Sequence, residues 1–351
     1  MSILAFTEFC NLSILLASSP PSQPSNGPGP SPSSTSLTPV EEMGNVIMKL
    51  GSGTFGRVVT STNVPYAFKA VRRTHNIPIL QGEFGWTQAV HNALTGQDFI
   101  GAPSAVAFIN GGDPNALANI PDLFTEDLLE GCNQEVTSVL ISDRVYPVSR
   151  DLRQKIVESF CPEALKSLHT SKPFIARVYL GRQELEQRAV QKCGRAEAYS
   201  FRSAPHRFFN TYNFTLTEKK IRKLDLPVDE YACTMGFLLA RMHFIVGTDG
   251  RDLEIILGMG DNPMKDKIYV IDCNQFRAFS GGVDDVPNLV DAVITNDPYF
   301  PQQGVLLTHT LDAYTTEVQA IAAINGTGDI LTIGEHFFTH LSFALKGLSK
   351  F

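Results

Sequence analysis

The chain has no uninterrupted apolar run approaching the length needed to span a bilayer, which excludes a transmembrane helix. Its six cysteines, Cys10, Cys132, Cys161, Cys193, Cys233 and Cys273, include no Cys-x-x-Cys pair. Neither a zinc site nor a disulfide framework is therefore expected, and a reducing, cytoplasmic compartment fits best. Lysine and arginine number 29 against 36 acidic residues, a net charge of -7. This balance excludes a chain that is basic all over, the usual footprint of sequence-independent nucleic-acid binding. Local basic faces remain, at Lys219, Lys220, Arg222 and Lys223 and, more loosely, at Arg177, Arg182, Arg188, Lys192 and Arg195. A solvated helix face accounts for such clusters more simply than a binding surface does. No Lys or Arg precedes the apolar patch Leu12 to Ala17, whereas Glu8 does, so no secretory signal is indicated.

What is present fits one two-lobed domain: 351 residues, 43% hydrophobic and 19% charged. Ser18 to Pro39 is almost entirely Ser, Pro, Gly and Thr and cannot bury enough apolar surface to offset chain entropy, so residues 1–43 read as a disordered leader. Residues 44–150 read as a small β-rich lobe with a loop-rich insertion over 100–150, and residues 151–351 as a larger, mostly helical lobe. Helical spacing is expected over Gln81–Leu94, Asp151–Leu168, Glu218–Leu224 and, apolar all round, Asp229–His243.

The chemistry-bearing motifs start at Gly51-Ser52-Gly53-Thr54-Phe55-Gly56, followed by a strand pattern around Lys69. Glycines spaced G-x-G-x-x-G let backbone amides approach phosphate oxygens, and a lysine strand follows where a dinucleotide fold would start a helix. Glu83 on the next helix is the expected partner of Lys69, although a glutamate near a helix start is also favoured by the dipole alone. Farther on, Asp249-Gly250-Arg251-Asp252-Leu253-Glu254 keeps the five-residue step of a kinase catalytic loop, with Gly247 in place of its histidine and Glu254 in place of its metal-binding asparagine. Asp272 follows the strand pattern Ile268–Ile271 as an Asp-Phe-Gly aspartate would, but Cys273 and Asn274 come after it. The ordered set predicts an α+β, divergent protein-kinase-like fold. Asp249, Glu254 and Asp272 are the catalytic candidates, and Gly51, Gly53, Gly56 and Lys69 face a nucleotide or phosphate-bearing end. Asp252 also reads as a turn residue capping its own backbone. Cys273, beside Asp272, is a candidate nucleophile but reads more simply as a small buried residue, since a neighbouring carboxylate raises a thiol pKa; His243 and His206 read as structural.

Several blocks resemble a fungal family catalogued as a domain of unknown function and sometimes labelled zinc-finger-like: Ile175–Arg182, Phe208-Phe209 with Tyr212-Asn213-Phe214 and Leu216, Leu239–His243, Asp249-x-x-Asp252-x-Glu254, Ile271–Gln275 and Asn296–Pro301. The resemblance runs over roughly residues 45–345, and no Cys/His metal pattern supports the zinc label. The group is similar to arginine-containing cyclodipeptide synthases. That resemblance implies an enzyme that joins arginine to a second amino acid and closes a diketopiperazine, with arginyl-tRNA and a second aminoacyl-tRNA as partners and no stable protein partner. It implies no required cofactor and no metal, a tRNA 3′ end in the Lys69 cleft, Asp249 or Glu254 as base, and Asp252, Asp272, Asn274 and Glu83 around the substrate. In that chemistry Cys273 is the candidate for carrying a covalent aminoacyl-enzyme, and a tRNA path is the alternative for an exposed His206 near Arg202 and Arg207. The motifs alone leave two alternatives: a magnesium- and ATP-dependent phosphotransferase, or an inactive pseudokinase acting as a binding module.

Overall fold

Short runs rich in β-branched and aromatic residues, punctuated by glycine and proline, build the first part of the chain as strands. The computed structural model describes residues 47–52, 55–61, 64–71, 73–111, 138–170, 172, 175–181, 209, 211, 214–260, 265–296, 299–325 and 328–348. It begins with β1 (Ile47–Ser52), β2 (Gly56–Ser61) and β3 (Tyr66–Val71), then helix α1 (Ile77–Leu94). Strands β4 (Ile100–Gly101), β5 (Ala105–Ile109) and β6 (Val139–Asp143) follow. One antiparallel sheet has the order β1-β2-β3-β6-β5, so β3 is its middle strand. The expectation of a loop-rich insertion over 100–150 is thus corrected, because β6 lies inside the sheet. The Gly-Gly-Asp-Pro and Asn-Ile-Pro turn signals obscured these short strands; residues 112–137 lie outside the described residues.

Side-chain alternation on β3 decides where Lys69 points. Residues opposite each other on antiparallel strands share a face, and Lys69 lies opposite Val58 and Leu140. Leu140 packs with Val71, Ala105 and Leu80 of α1, whereas Phe68 and Ala70 join Val59, Ile109 and Val139 on the other face. Lys69 therefore faces α1. That helix starts at Ile77, four residues before the expected Gln81, with a proline in its first turn where the missing N–H is tolerated. Its buried positions Leu80, Glu83, Thr87, Val90 and Leu94 recur every three or four residues, which puts Glu83 on the core-facing stripe.

The rest of the chain forms α2 (Arg150–Phe160), α3 (Lys166–His169), β7 (Ala176–Tyr179), β8 (Phe214–Thr217), α4 (Glu218–Lys223) and α5 (Val228–Arg241). Then come β9 (Glu254–Met259), β10 (Asp266–Ile271), α6 (Val286–Thr295), α7 (Gly304–Asn325) and α8 (Gly328–Leu348). The continuous helix expected over 151–168 is broken because Pro162 disfavours helical backbone at Cys161, which is extended. Helix α5 passes directly into a π-helical turn, Met242–Val246. It crosses α7 so closely that a Cβ on Gly236 would lie 1.9 Å from the Thr310 carbonyl oxygen.

The second sheet has the order β4-β10-β9-β7-β8. Its first strand, β4, belongs to the chain before residue 150 and runs parallel to β10, with Ile100 opposite Ile268 and Gly101 opposite Tyr269. The two sheets do not divide where composition suggested. Val90, Leu94 and Ile100 share the larger hydrophobic core with Leu238, Leu257, Tyr314 and Phe337. Among the described residues no helix is long and apolar enough to cross a membrane.

Candidate active-site cleft

Three elements bring Lys69, Glu83 and Asp272 together. Lys69 Nζ lies 2.7 Å from Glu83 Oε1 and 2.7 Å from Asp272 Oδ1, and 5.0 Å from the Phe55 ring centroid. Burial alone would lower the Lys69 pKa, but Glu83 and then Asp272 outweigh it and raise it. Burial pushes Glu83 up to about 7, against the pull of Lys69 and with Asp272 adding to the rise. Asp272 has a positive φ of 64° and Asp252 one of 59°, a conformation that aspartate tolerates better than most residues and that concentrates at functional turns.

Antiparallel pairing of Ile271 with Glu254 brings the start of β9 beside Asp272. Arg177 on β7 lies opposite Ile256, two residues along β9 and so on the same face as Glu254. Arg177 pairs with Glu254 and donates to the Tyr299 hydroxyl at 3.0 Å. Burial raises the Glu254 pKa although Arg177 opposes it, with Asp272 adding to the rise. Sequence reasoning did not place Arg177 or Tyr299 in the site. The available signal was an arginine within the short apolar run Ile175-Ala176-Arg177-Val178.

Lys69, Glu83, Asp272, Glu254 and Arg177 line one cavity of about 300 Å³ between the two sheets. Leu50, Val58, Ala67 and Leu140 wall it from the first sheet, Ile256 and Val270 from the second. Lys69, Glu83, Glu254, Asp272, Asn274 and Gly51 also reach it. Gly53 lies outside the described residues, and Gly51, near the end of β1, has open space where a Cβ would stand. Gly56 lines the cavity but is glycine for another reason: a Cβ there would lie 2.5 Å from the Ala70 carbonyl oxygen on β3.

Asp249 departs from its expected role. It is 2% exposed and absent from the cavity wall. Its Oδ1 accepts from the backbone N–H of Arg251 at 3.1 Å and of Arg277 at 3.0 Å, and its Oδ2 accepts from Arg277 Nε at 2.5 Å. A carboxylate so committed braces two loops and is not placed to take a proton from a substrate in the cleft. Asp252 is exposed, accepts from Gln275 Nε2 and does not line the cavity either. Burial raises its pKa, and the neighbouring Asp272 adds to the shift.

Cys273 is 2% exposed and its thiol pKa is raised, first by burial and then by Glu83 and Asp272, so it remains a protonated thiol. His243 is fully enclosed, holds the Tyr314 hydroxyl at 3.0 Å, and is driven by burial down to about 3. It is a neutral core residue. His206 lies outside the described residues. In the basic cluster on α4, Arg222 bonds Glu218 at 2.9 Å, while Lys223 sits 4.9 Å from the Phe160 ring centroid. Comparison with protein families, curated proteins and solved structures finds no match to this chain.

Proposed function

We propose that the protein is an aminoacyl-tRNA-dependent cyclodipeptide synthase that joins arginine to a second amino acid, on a kinase-like two-lobed scaffold. One observation carries the reading. Lys69, held by Glu83 and Asp272, faces a cavity suited to an adenosine and its phosphate, yet Asp249, the acid that phosphoryl transfer would use as its base, is engaged outside the cavity by Arg277. Such a cleft suits a substrate that arrives already activated, as an aminoacyl ester does.

In this mechanism the apolar walls hold the terminal adenosine and Lys69 faces its phosphate. The α-amine of one aminoacyl ester attacks the carbonyl of the other. A C–N bond forms, the ester C–O bond breaks, and the amine proton passes through Glu254 to the departing ribose hydroxyl. The free amine of the dipeptidyl ester then attacks its own ester carbonyl: a second C–N bond closes the ring, the remaining ester C–O bond breaks, and the amine proton passes to the departing ribose hydroxyl of the second tRNA. Glu254 is the base because burial raises its proton affinity while Arg177 holds its orientation. Asp272 and Asn274 orient the amines.

The experiment is an incubation of the full chain with arginyl-tRNA and a mixture of other aminoacyl-tRNAs, without ATP, read by mass spectrometry. An arginine-containing cyclic dipeptide is expected. A second reading, an ATP-dependent phosphotransferase, is favoured by the Lys69–Glu83–Asp272 triangle itself. Its magnesium would be held by Asp272 with Glu254, but Lys69 and Arg177 already sit against those two carboxylates, and their charge disfavours a divalent ion there. Transfer of labelled γ-phosphate from ATP to an acceptor, with no cyclic dipeptide formed, would replace the first reading with the second. No turnover with either substrate leaves a binding module.

A further inference from the structure

Asn296 and Tyr299 belong to a block that stands out in the sequence, and neither lines the cavity. Both are polar side chains shut into the protein, 4% and 5% exposed, and both are tied to Glu254. The Asn296 amide donates to the Leu253 carbonyl at 3.2 Å, which fixes the backbone immediately before Glu254. Tyr299 is anchored to β7 instead. Its carbonyl accepts from the Leu180 N–H at 3.0 Å, and its ring meets the Tyr179 ring edge to face at 4.9 Å. Tyr179 and Arg177 stand two residues apart on β7 and so share a face. The Tyr299 hydroxyl thereby reaches Arg177 and accepts from Nη1 at 3.0 Å, while the same nitrogen pairs with Glu254.

We infer that Tyr299 is a positioning residue: anchored on β7, it holds the Arg177 guanidinium against Glu254 and so fixes the orientation of that carboxylate in the cleft wall. An arginine side chain has many rotamers, and two acceptors on one nitrogen leave it a single pose. The charged groups facing Glu254 are Arg177 from β7, Lys69 from β3 and Asp272 from the end of β10. Burial raises the proton affinity of Glu254, Arg177 and Lys69 lower it, and Asp272 adds to the rise. Tyr299 itself stays a neutral phenol, because burial and then Glu254 raise its pKa. Without its hydroxyl the guanidinium would spread over other poses, its attraction for Glu254 would weaken, and the carboxyl would take up a proton more readily. That Glu254 is the base of a reaction rests on the synthase reading; its tethering does not.

The test is difference infrared spectroscopy of the full chain between about pH 4 and 9, with the Glu254 carboxyl band assigned by its loss in Glu254→Gln. Tyr299→Phe keeps the ring on Tyr179 and removes only the hydroxyl. It should move the Glu254 titration upward by about one pH unit, a roughly tenfold gain in proton affinity, with a cooperative thermal transition retained. In an Arg177→Met background the same substitution should move it no further, because the hydroxyl acts through the guanidinium. A second measurement leaves the hydroxyl in place: the NMR signal of a fluorine on the Tyr299 ring should follow the Glu254 titration. A titration unmoved or lowered by Tyr299→Phe overturns the inference, as does an equal shift with and without Arg177. Should the phenylalanine variant not fold, a fluorine signal that ignores the Glu254 titration overturns it alone. Under the synthase reading the acid limb of the rate profile with charged tRNA should move up with the infrared titration, while KM changes less than about twofold. A shifted titration in a protein that makes no cyclic dipeptide keeps the inference and removes that reading. Dipeptide formation with an unshifted titration does the reverse.

Discussion

Two regions of this molecule use the same ingredients to opposite ends. At the cleft, a buried cation, Lys69, meets two carboxylates, Glu83 and Asp272, and all three side chains line the cavity. On the loop before β9, a buried carboxylate, Asp249, meets Arg277 and two backbone N–H groups, and both its oxygens are in use. In sequence both carry the marks of catalysis. The difference lies in where each sits: an ion pair shut away from the cavity is a brace, whereas one that lines the cavity can meet a ligand.

The comparison breaks most directly at Lys69. Under the proposed function, Lys69→Met should lower the rate of product formation at least roughly a hundredfold, since it would take away the cation proposed to face the substrate phosphate and would leave Glu83 and Asp272 without their common partner. If single-turnover rates with charged tRNA stay within a few-fold of the parent protein, the cleft is not the reaction site. At the other region the expected loss is of stability. Asp249→Asn should reduce unfolding free energy by about 3 kcal/mol, at the low end for a buried pair because Arg277 is partly exposed. Urea unfolding measures it, and an unchanged midpoint would mean that the loop does not depend on this pair.

The smallest effect is a slope. The Glu83 carboxyl titrates near 4.5 when exposed and near 7 when folded. Between those values the native state keeps a proton that the unfolded chain has released. The stability from this group is therefore complete below about 4.5 and falls as pH rises toward 7. Relative to the parent protein, Glu83→Gln should lack that decline in melting temperature between about pH 5 and 7. Parallel melting curves for the two proteins across that window would place the Glu83 pKa back at its ordinary value.

Much of the cleft was legible because its residues follow strong local periods. Lys69 lies in an alternating strand, Glu83 on an apolar helical stripe, and Asp272 just after a β-rich run. The α+β class was legible for the same reason. What was hidden depends on pairing between distant segments. Nothing local distinguishes Asp249, turned inward to Arg277, from Asp272, turned toward Lys69, because their partners lie 28 and 203 residues away. Arg177 reads as surface charge until β7 is laid beside β9 and its guanidinium meets Glu254. Gly56 fits a phosphate-loop pattern, yet its missing Cβ makes room for the Ala70 carbonyl.

The two-residue strand β4 has a bearing on how this protein can be taken apart. Ile100 is fully buried and hydrogen-bonded into the sheet that the later chain builds, beside Ile268. Cutting the chain at residue 150 would therefore not yield two free-standing pieces. The first would carry an orphaned apolar strand, and the second would expose the edge of β10 that this strand covers, an invitation to intermolecular pairing. The halves are separable in composition but not in solubility, and a reconstituted protein would have to be assembled from fragments produced together.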